Sequence, residues 1–180
     1  MEKLFARVPA VNGAHILPER LSYSDIPAPE AFAADQAVYR RLPAFLFERQ
    51  YADKREMIDR LYGECFRAKE SLILGIYLRP GRSFCDPAEL YGCRAGIRKV
   101  CIGYRLRSDR RGKGIAAEAV ALPADYLFSQ TDIENITAST MPESKASARV
   151  LEKNGFIRTA NAVPEDWGYA VPTPADKWSR

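Results

Sequence analysis

The sequence is poor in the residues that bind metals. It contains four cysteines and one histidine among 180 residues. The cysteines, Cys65, Cys85, Cys93 and Cys101, form no Cys-x-x-Cys pair, and His15 is far from all of them in the sequence. Because a zinc site ordinarily includes at least one such closely spaced pair of ligands, we expect no metal site.

Long apolar runs are also lacking. No run approaches the roughly 18 residues that a membrane-spanning helix needs, and the lysine and arginine of residues 1–9 are followed by no long apolar stretch, so we expect no secretion signal. We therefore expect a cytoplasmic protein with reduced thiols. The net charge of +4 is too small to argue for nucleic-acid binding, so neither nucleic acid nor a membrane is an expected partner.

The composition is that of an ordinary globular protein, with 47% hydrophobic and 28% charged residues. A chain of this length buries a sizeable core without disulfides or metals. The sequence shows no internal repeat, low-complexity tract or linker. We therefore expect residues 1–180 to form a single domain.

The spacing of apolar residues and the positions of glycine and proline predict a mixed α/β fold. The predicted helices cover residues 28–35, 36–42, 53–68, 115–129 and 145–154, and the predicted strands cover 71–78, 89–95, 99–106, 136–141, 156–160 and 167–171. Short connections favour antiparallel pairing of the early strands. The helix between the strands at 99–106 and 136–141 instead predicts one parallel pair within that sheet.

The loop between the strand at 99–106 and the helix at 115–129 is rich in glycine and positive charge. It reads Arg110-Arg111-Gly112-Lys113-Gly114, directly before the predicted start of the helix. Glycines allow backbone N–H groups to converge on an anion, and the start of a helix adds further free N–H groups. The loop therefore predicts a phosphate or pyrophosphate site, although a solvated tight turn has the same composition.

Two motif blocks carry a family resemblance. Arg111-x-x-Gly114-x-Ala116 resembles the Gln/Arg-x-x-Gly-x-Gly/Ala motif of the GNAT acetyltransferases. The segments Ile102-Gly103-Tyr104-x-Leu106 and Pro142-Glu143-Ser144-x-Ala146-Ser147-x-Arg149-Val150-Leu151-Glu152-Lys153-x-Gly155-Phe156 resemble the RimJ/RimL ribosomal-protein N-acetyltransferase branch of that superfamily. The resemblance is dense from about residue 100 to 156. It implies a GNAT-like domain in which the parallel strand pair splays apart and opens a cleft.

The resemblance also implies acetyl-CoA as the cofactor, with CoA as product, and a set of binding residues. Backbone groups of Tyr104, Arg105 and Leu106 would hold the pantetheine arm, the amides of Arg111, Gly112, Lys113, Gly114, Ile115 and Ala116 would bind the pyrophosphate, and Ser144, Ala146, Ser147 and Val150 would line the opposite wall. Backbone N–H groups near Leu106 are the candidate oxyanion donors.

Five residues are candidates for the chemistry, two as proton donors and three as the general base. Ser147 occupies the family position whose hydroxyl lies near the thioester sulfur, and Tyr104 is the second candidate proton donor. Relatives often carry a glutamate just before the Ile-Gly-Tyr sequence, where this chain has Cys101. The general base is therefore open, between Glu89 on the preceding strand and the pair Glu165 and Asp166, acting through a water.

Three further residues depart from the family pattern. Ser144 stands where asparagine is usual and Ala117 where threonine is common. Pro123 falls inside a predicted helix, where it removes a hydrogen bond and should kink the helix. From these departures we expect altered, weaker binding of CoA.

The sequence predicts an enzyme that transfers the acetyl group of acetyl-CoA to a primary amine, by direct attack in a ternary complex. A protein N-terminus or a small amine is the expected acceptor, bound by residues 28–51 and 163–178, whose aromatic residues are Tyr39, Phe45, Phe47, Trp167, Tyr169 and Trp178. The alternative is a non-catalytic acyl-CoA-binding module of the same fold. The sequence leaves open whether the chain forms a homodimer.

Overall fold

A computed structural model describes residues 1–25, 53–167 and 169–180. The two helices predicted at 28–35 and 36–42 lie outside these residues, as do the acceptor candidates Tyr39, Phe45 and Phe47. Within the described residues, no helix is both long and apolar enough to cross a membrane.

A sheet of seven strands forms the centre of the fold, in the order β1-β2-β3-β4-β5-β7-β6. The strands are β1 (Ile16–Glu19), β2 (Ser71–Leu78), β3 (Phe84–Arg94), β4 (Lys99–Tyr104), β5 (Asn135–Thr140), β6 (Ile157–Glu165) and β7 (Thr173–Ser179). All neighbours pair antiparallel except β4 and β5, which are parallel. The predicted mixed sheet with one parallel pair is confirmed.

Three described helices flank the sheet. They are α1 (Lys54–Arg60), which continues as a π-helical turn over Leu61–Cys65, α2 (Ile115–Gln130) and α3 (Lys145–Lys153). Helix α2 runs without interruption through Pro123, which is buried within it. On one face of the sheet, α2 and α3 pack with the N-terminal residues Met1 and Leu4 over the main core, and on the other face α1 packs near Ile73.

Three strand predictions differ from the structure, one being that at 156–160, where β6 continues to Glu165. The prediction at 167–171 is wrong, because these aromatic residues belong to the connection between β6 and β7, and the last strand begins at Thr173. Strand β3 begins at Phe84 rather than Glu89. The strand includes Pro87, which lacks an N–H; its carbonyl accepts from the N–H of Arg105 at 3.4 Å. The short strand β1 was not predicted.

The parallel strands β4 and β5 separate part-way along their length. They pair from Lys99 and Asn135 as far as Cys101 and Thr137. Beyond that point β4 stays paired with β3, through Ala88 opposite Tyr104, while β5 stays paired with β7. The carboxyl ends of the two strands are therefore splayed, and a gap opens between them.

Candidate active site

A cleft of about 600 Å³ lies at the gap between β4 and β5. Its lining brings together every predicted site residue except Lys113: Glu89, Tyr104, Arg105, Leu106, Arg111, Gly112, Gly114, Ile115, Ala116, Ser144, Ala146, Ser147 and Val150. These residues come from β3, β4, the glycine loop, α2 and α3. A cleft of this size is large enough for a small ligand or cofactor.

The backbone of β4 presents hydrogen-bonding groups to this gap. The N–H of Arg105 donates to the carbonyl of Pro87 on β3. Because N–H groups alternate between the two edges of a strand, the N–H and carbonyl of Tyr104 point away from β3, toward the gap. A ligand lying in the gap can therefore pair with this backbone in the manner of an added strand.

The side chain of Arg105 does not enter the cleft as a free cation. Its Nε lies 2.6 Å from Oδ1 of Asp86, and the two side chains are only 3% and 0% exposed. Asp86 is on β3, so the ion pair joins the ends of β3 and β4 beneath the cleft. Sequence reasoning assigned Arg105 only a backbone role and missed this pair, because nothing in the local sequence indicates that the two side chains meet.

The glycine loop has the backbone geometry of an anion cradle. Gly112 and Gly114 have φ angles of +76° and +78°, a conformation that favours glycine. A Cβ added to either glycine would have no atom within 4 Å, so the backbone is open on that side. Gly114 begins α2, and the N–H groups of the next three residues have no carbonyl within the helix to receive them. These features fit a bound pyrophosphate.

The cationic side chains of the loop are turned back onto the loop itself. Arg111 Nε donates to the carbonyl of Leu106 at 3.0 Å, and Lys113 Nζ donates to the carbonyl of Asp109 at 3.0 Å. Arg107 and Arg110 both pair with the Asp109 carboxylate. In this arrangement the side chains of Arg110, Arg111 and Lys113 are held within the loop, whose backbone N–H groups remain available at the start of α2.

Helix α3 forms the opposite wall and meets β4 at the two candidate proton donors. The hydroxyl of Tyr104 donates to the backbone carbonyl of Ser147 at 3.4 Å, across the gap. The hydroxyl of Ser144 donates to Oγ of Ser147 at 3.1 Å, so Ser144 starts the helix but does not cap it with its side chain. Burial raises the pKa of Tyr104 to about 12. Its hydroxyl is therefore neutral near pH 7.

The other end of the cleft is acidic. Glu89 lies on β3 opposite Gly103, and Glu165 lies at the end of β6. Burial chiefly raises the pKa of Tyr91, which also lines this end, and the nearby Cys101, Glu89 and Glu165 raise it further. The hydroxyl of Tyr91 is therefore a neutral hydrogen-bonding group that lies close to both carboxylates.

The three candidate bases differ in how firmly they are held. Glu165 accepts from Ser139 at 3.2 Å, from Lys177 at 2.7 Å and from the indole of Trp167 at 2.8 Å. A carboxylate with three donors has its charge largely satisfied, which disfavours Glu165 as a base. Asp166 lines the cleft but is exposed. Glu89 is half-buried, on the rigid strand beside β4, and its geometry suits a base best.

The aromatic residues of the C-terminal segment divide between core and site. Trp178 is buried in the main core, where its indole donates to Thr140 at 2.9 Å. Trp167 is buried beside Met141 and Ala175 and lines the acidic end of the cleft. Tyr169 is 40% exposed. Of the described aromatic candidates for acceptor binding, Trp167 is therefore the one that contacts the cleft.

Cys101, at the position of the missing glutamate, is not among the residues that line the cleft. Its Sγ lies 3.0 Å from Oγ1 of Thr137 on β5, at the last paired position before the strands splay. All four cysteines are free thiols. No group of three or more histidine, cysteine or acidic residues in the described parts of the chain is arranged to hold a metal ion.

Comparison with known families agrees with this geometry. Residues 17–157 match the profile of a family described as acetyltransferase (GNAT) domain. The chain belongs to the GNAT acetyltransferases. The predicted superfamily and its fold are therefore confirmed, and the cleft lies within the matched region except for its lining residues Glu165, Asp166 and Trp167.

One curated relative and two solved GNAT structures show the range of similarity. A probable N-acetyltransferase, YjcK of Bacillus subtilis, is 35% identical over 96 residues. That alignment spans only about half of each protein, 53% of this chain and 53% of the relative.

Spermidine N-acetyltransferase from Vibrio cholerae, solved with CoA and spermine, has a TM-score of 0.74 at 14% identity, covering 93% of this chain and 96% of that one. Ribosomal-protein-S5-alanine acetyltransferase from Vibrio fischeri has a TM-score of 0.77 at 18% identity, covering 96% of both chains. At such identities the two structures establish the shared fold alone.

Proposed function

We propose that this protein is an N-acetyltransferase that uses acetyl-CoA and a primary amine. The observation that carries the proposal is the alignment of three features along one cleft: the glycine loop at the start of α2, the splayed edge of β4, and the contact between Tyr104 and Ser147. They offer, in turn, sites for a pyrophosphate, an extended amide-containing arm and a thioester.

Acetyl-CoA would supply the activated acetyl group, and CoA would leave as a thiol. The N–H groups at the start of α2 would bind the pyrophosphate, and the backbone of Tyr104 would pair with the pantetheine arm. Backbone N–H groups near Leu106 would stabilise the oxyanion, a contribution of roughly 2.7–4 kcal/mol for one well-placed donor in other enzymes.

Side chains on opposite sides of the gap would carry out the two proton transfers, one from the attacking amine and one to the departing sulfur. Glu89 would accept the proton of the attacking amine, through a water molecule. Ser147, whose hydroxyl is held by Ser144, would donate a proton to the departing sulfur, with Tyr104 as the second candidate. Because Tyr104 stays neutral well above pH 7, it can donate a hydrogen bond over the whole physiological range.

A primary amine is the proposed acceptor because the end of the cleft remote from the glycine loop carries the carboxylates of Glu89, Glu165 and Asp166. The fold neighbours include enzymes named for a polyamine and for a ribosomal protein. Both a protein N-terminus and a small amine therefore belong in the acceptor panel. We propose the cytoplasm as the location, since four free thiols suit a reducing compartment.

The test is acetyl transfer followed by two independent readouts. Purified protein is incubated with acetyl-CoA and, separately, with polyamines, other small amines and peptides with free N-termini. Amine-dependent release of CoA thiol, together with a product heavier by one acetyl group, is expected for at least one acceptor. Stabilisation by acetyl-CoA without transfer to any amine would contradict the enzyme proposal and favour the non-catalytic binding module.

A further inference from the structure

We propose that Glu118 is a positioning residue for the cofactor: it docks residues 13–16, which lead into β1, on the first turn of α2, and so holds the N–H groups of that turn in the geometry that binds the pyrophosphate. This inference rests on the proposed function. Glu118 is an acidic residue in the first turn of a helix whose start binds an anion. Its charge repels such a ligand, so its presence there needs an explanation.

Both carboxylate oxygens of Glu118 are engaged by the residues that lead into β1. Oε1 accepts from the backbone N–H of His15 at 3.0 Å, and Oε2 lies 2.9 Å from Nδ1 of the same residue. Burial by itself would raise the pKa of Glu118, but hydrogen bonds from His15 and from the backbone of Ile16 lower it. The side chain is 17% exposed. An ionised carboxylate is therefore held in one place by donors from another part of the chain.

Residues 13–16 fit closely against α2 and are themselves fixed to the sheet. A Cβ added to Gly13 would collide with the Glu118 carboxylate, so this close approach requires glycine. On the other side, the residue after β2 binds the same segment. The side chain of Arg79 donates to the carbonyl of Gly13 at 3.1 Å, and its N–H donates to the carbonyl of His15 at 2.7 Å. Glu118 therefore connects the start of α2 to the edge of the sheet.

The first turn of α2 is supported by three different parts of the molecule. Ile115 packs into a buried apolar cluster beneath the turn. The carbonyl of Ala117 accepts from the side-chain amide of Asn154, at the end of α3, at 3.1 Å. Glu118 supplies the third contact, to the residues that lead into β1. Because groups that form a binding site have to be held within about 0.5 Å of the productive geometry, loss of this third contact should lower affinity for the ligand.

The same contacts keep the carboxylate of Glu118 out of the anion site. The first N–H groups of α2 have no partner within the helix, and Gly114, at the N-cap position, has no side chain to cover them. An acidic side chain in the first turn is attracted by the positive end of the helix dipole, where it would compete with the pyrophosphate. Because His15 engages both oxygens, the N–H groups stay available to the ligand.

The test measures affinity for CoA directly, by calorimetric titration, so it does not depend on turnover. E118A removes the docking contact, whereas E118Q removes the same charge but keeps an oxygen that can accept from the N–H of His15. Y62F is the matched control. The hydroxyl of Tyr62 also fixes the early part of the chain, since it accepts from the N–H of Leu21 at 2.8 Å and donates to the carbonyl of Ile73 at 2.9 Å. Tyr62 does not line the cleft.

For E118A we expect about tenfold weaker binding of CoA, the low end of what supporting hydrogen bonds contribute around metal sites. E118Q should lose no more than about threefold, since a neutral hydrogen bond replaces a charged one. Repulsion between Glu118 and the phosphates predicts the opposite, tighter binding in both variants. Y62F should unfold at a lower temperature but bind CoA within about twofold of the unmodified protein.

His15 supplies a second test, because its side chain is exposed and lies outside the cleft. H15A should weaken CoA binding by about two- to threefold in the unmodified protein. It should have no further effect in E118A, where its partner is absent.

The inference is overturned if E118A binds CoA as tightly as the unmodified protein or more tightly, if Y62F loses as much affinity as E118A, or if the effects of H15A and E118A add. Equal losses in E118A and E118Q also overturn it, because they would attribute the effect to charge rather than to position. If the unmodified protein itself binds no CoA, the proposed function fails, and that outcome is distinct from failure of this inference alone.

Discussion

Replacing Arg105 by methionine should destabilise the protein strongly, because it leaves the carboxylate of Asp86 buried without its cation. The two side chains are 3% and 0% exposed, and the N···O distance is 2.6 Å. Breaking such a buried pair by removing one partner typically costs about 3–5 kcal/mol. The total stability of a domain is about 5–15 kcal/mol, so this single change removes a large part of it.

The expected signal is a lower thermal midpoint. For a domain of this size each kcal/mol shifts the midpoint by about 2–4 °C, so R105M should unfold roughly 6–20 °C below the unmodified protein. Circular dichroism during heating, with denaturant unfolding as a second measure, detects this shift. Because the pair joins the ends of β3 and β4 beneath the cleft, affinity for acetyl-CoA should fall as well.

An exposed ion pair in the same chain provides a matched control. Arg98 and Glu134 are also 2.6 Å apart, but their side chains are 54% and 60% exposed. R98M should therefore cost about 1 kcal/mol or less. The double variant D86L/R105M, which removes both buried charges, should be more stable than R105M alone.

Two results would refute this reasoning. A loss of stability in R105M no larger than that in R98M would show that burial does not strengthen the pair. Additive effects of D86L and R105M in the double variant would show that the two side chains are not coupled.

Three further predictions concern the site and its surroundings. E89Q should lower kcat by about 10²–10⁴-fold with little change in affinity for acetyl-CoA, whereas equal rates for E89Q and the unmodified enzyme would exclude Glu89 as the base. Because burial raises the pKa of Tyr104 to about 12, the rate should show no loss from tyrosine ionisation up to about pH 10, and Y104F should lower kcat without altering the alkaline limb. Burial tends to raise the pKa of Glu118, but hydrogen bonds from His15 outweigh this effect and lower the pKa below 4.5. The contribution of Glu118 to stability is therefore complete above about pH 4.5. It is lost as the pH falls through the lowered pKa. Thermal midpoints from pH 7 to 3 should show E118Q less stable at neutral pH and the difference vanishing in acid.

The order of elements from β2 to α3 followed from the sequence because local patterns determine it. The unbroken apolar run of Ser71–Leu78 marks β2 correctly, and Gly155, with a φ angle of +75°, ends α3 where the glycine predicts. The parallel pair followed from the intervening helix α2. By contrast, residues 167–171 carry an aromatic pattern typical of a strand, yet Trp167 packs against Met141 outside the sheet. The last strand of the sheet is β7, which begins at Thr173.

The backbone parts of the candidate site were predictable from the motifs, but the directions of its charged side chains were not. Nothing in the sequence indicates that Arg111 donates to the carbonyl of Leu106, or that Asp86 meets Arg105 inside the protein.

Binding of acetyl-CoA at the cleft is the property on which the other inferences depend, and thermal unfolding with and without acetyl-CoA tests it most directly. At a ligand concentration of about 100 times Kd the folded state gains about 2.7 kcal/mol, so the midpoint should rise by roughly 5–11 °C. No rise at saturating acetyl-CoA would show that the glycine loop and the splayed strands do not form a cofactor site, and would contradict the proposed function.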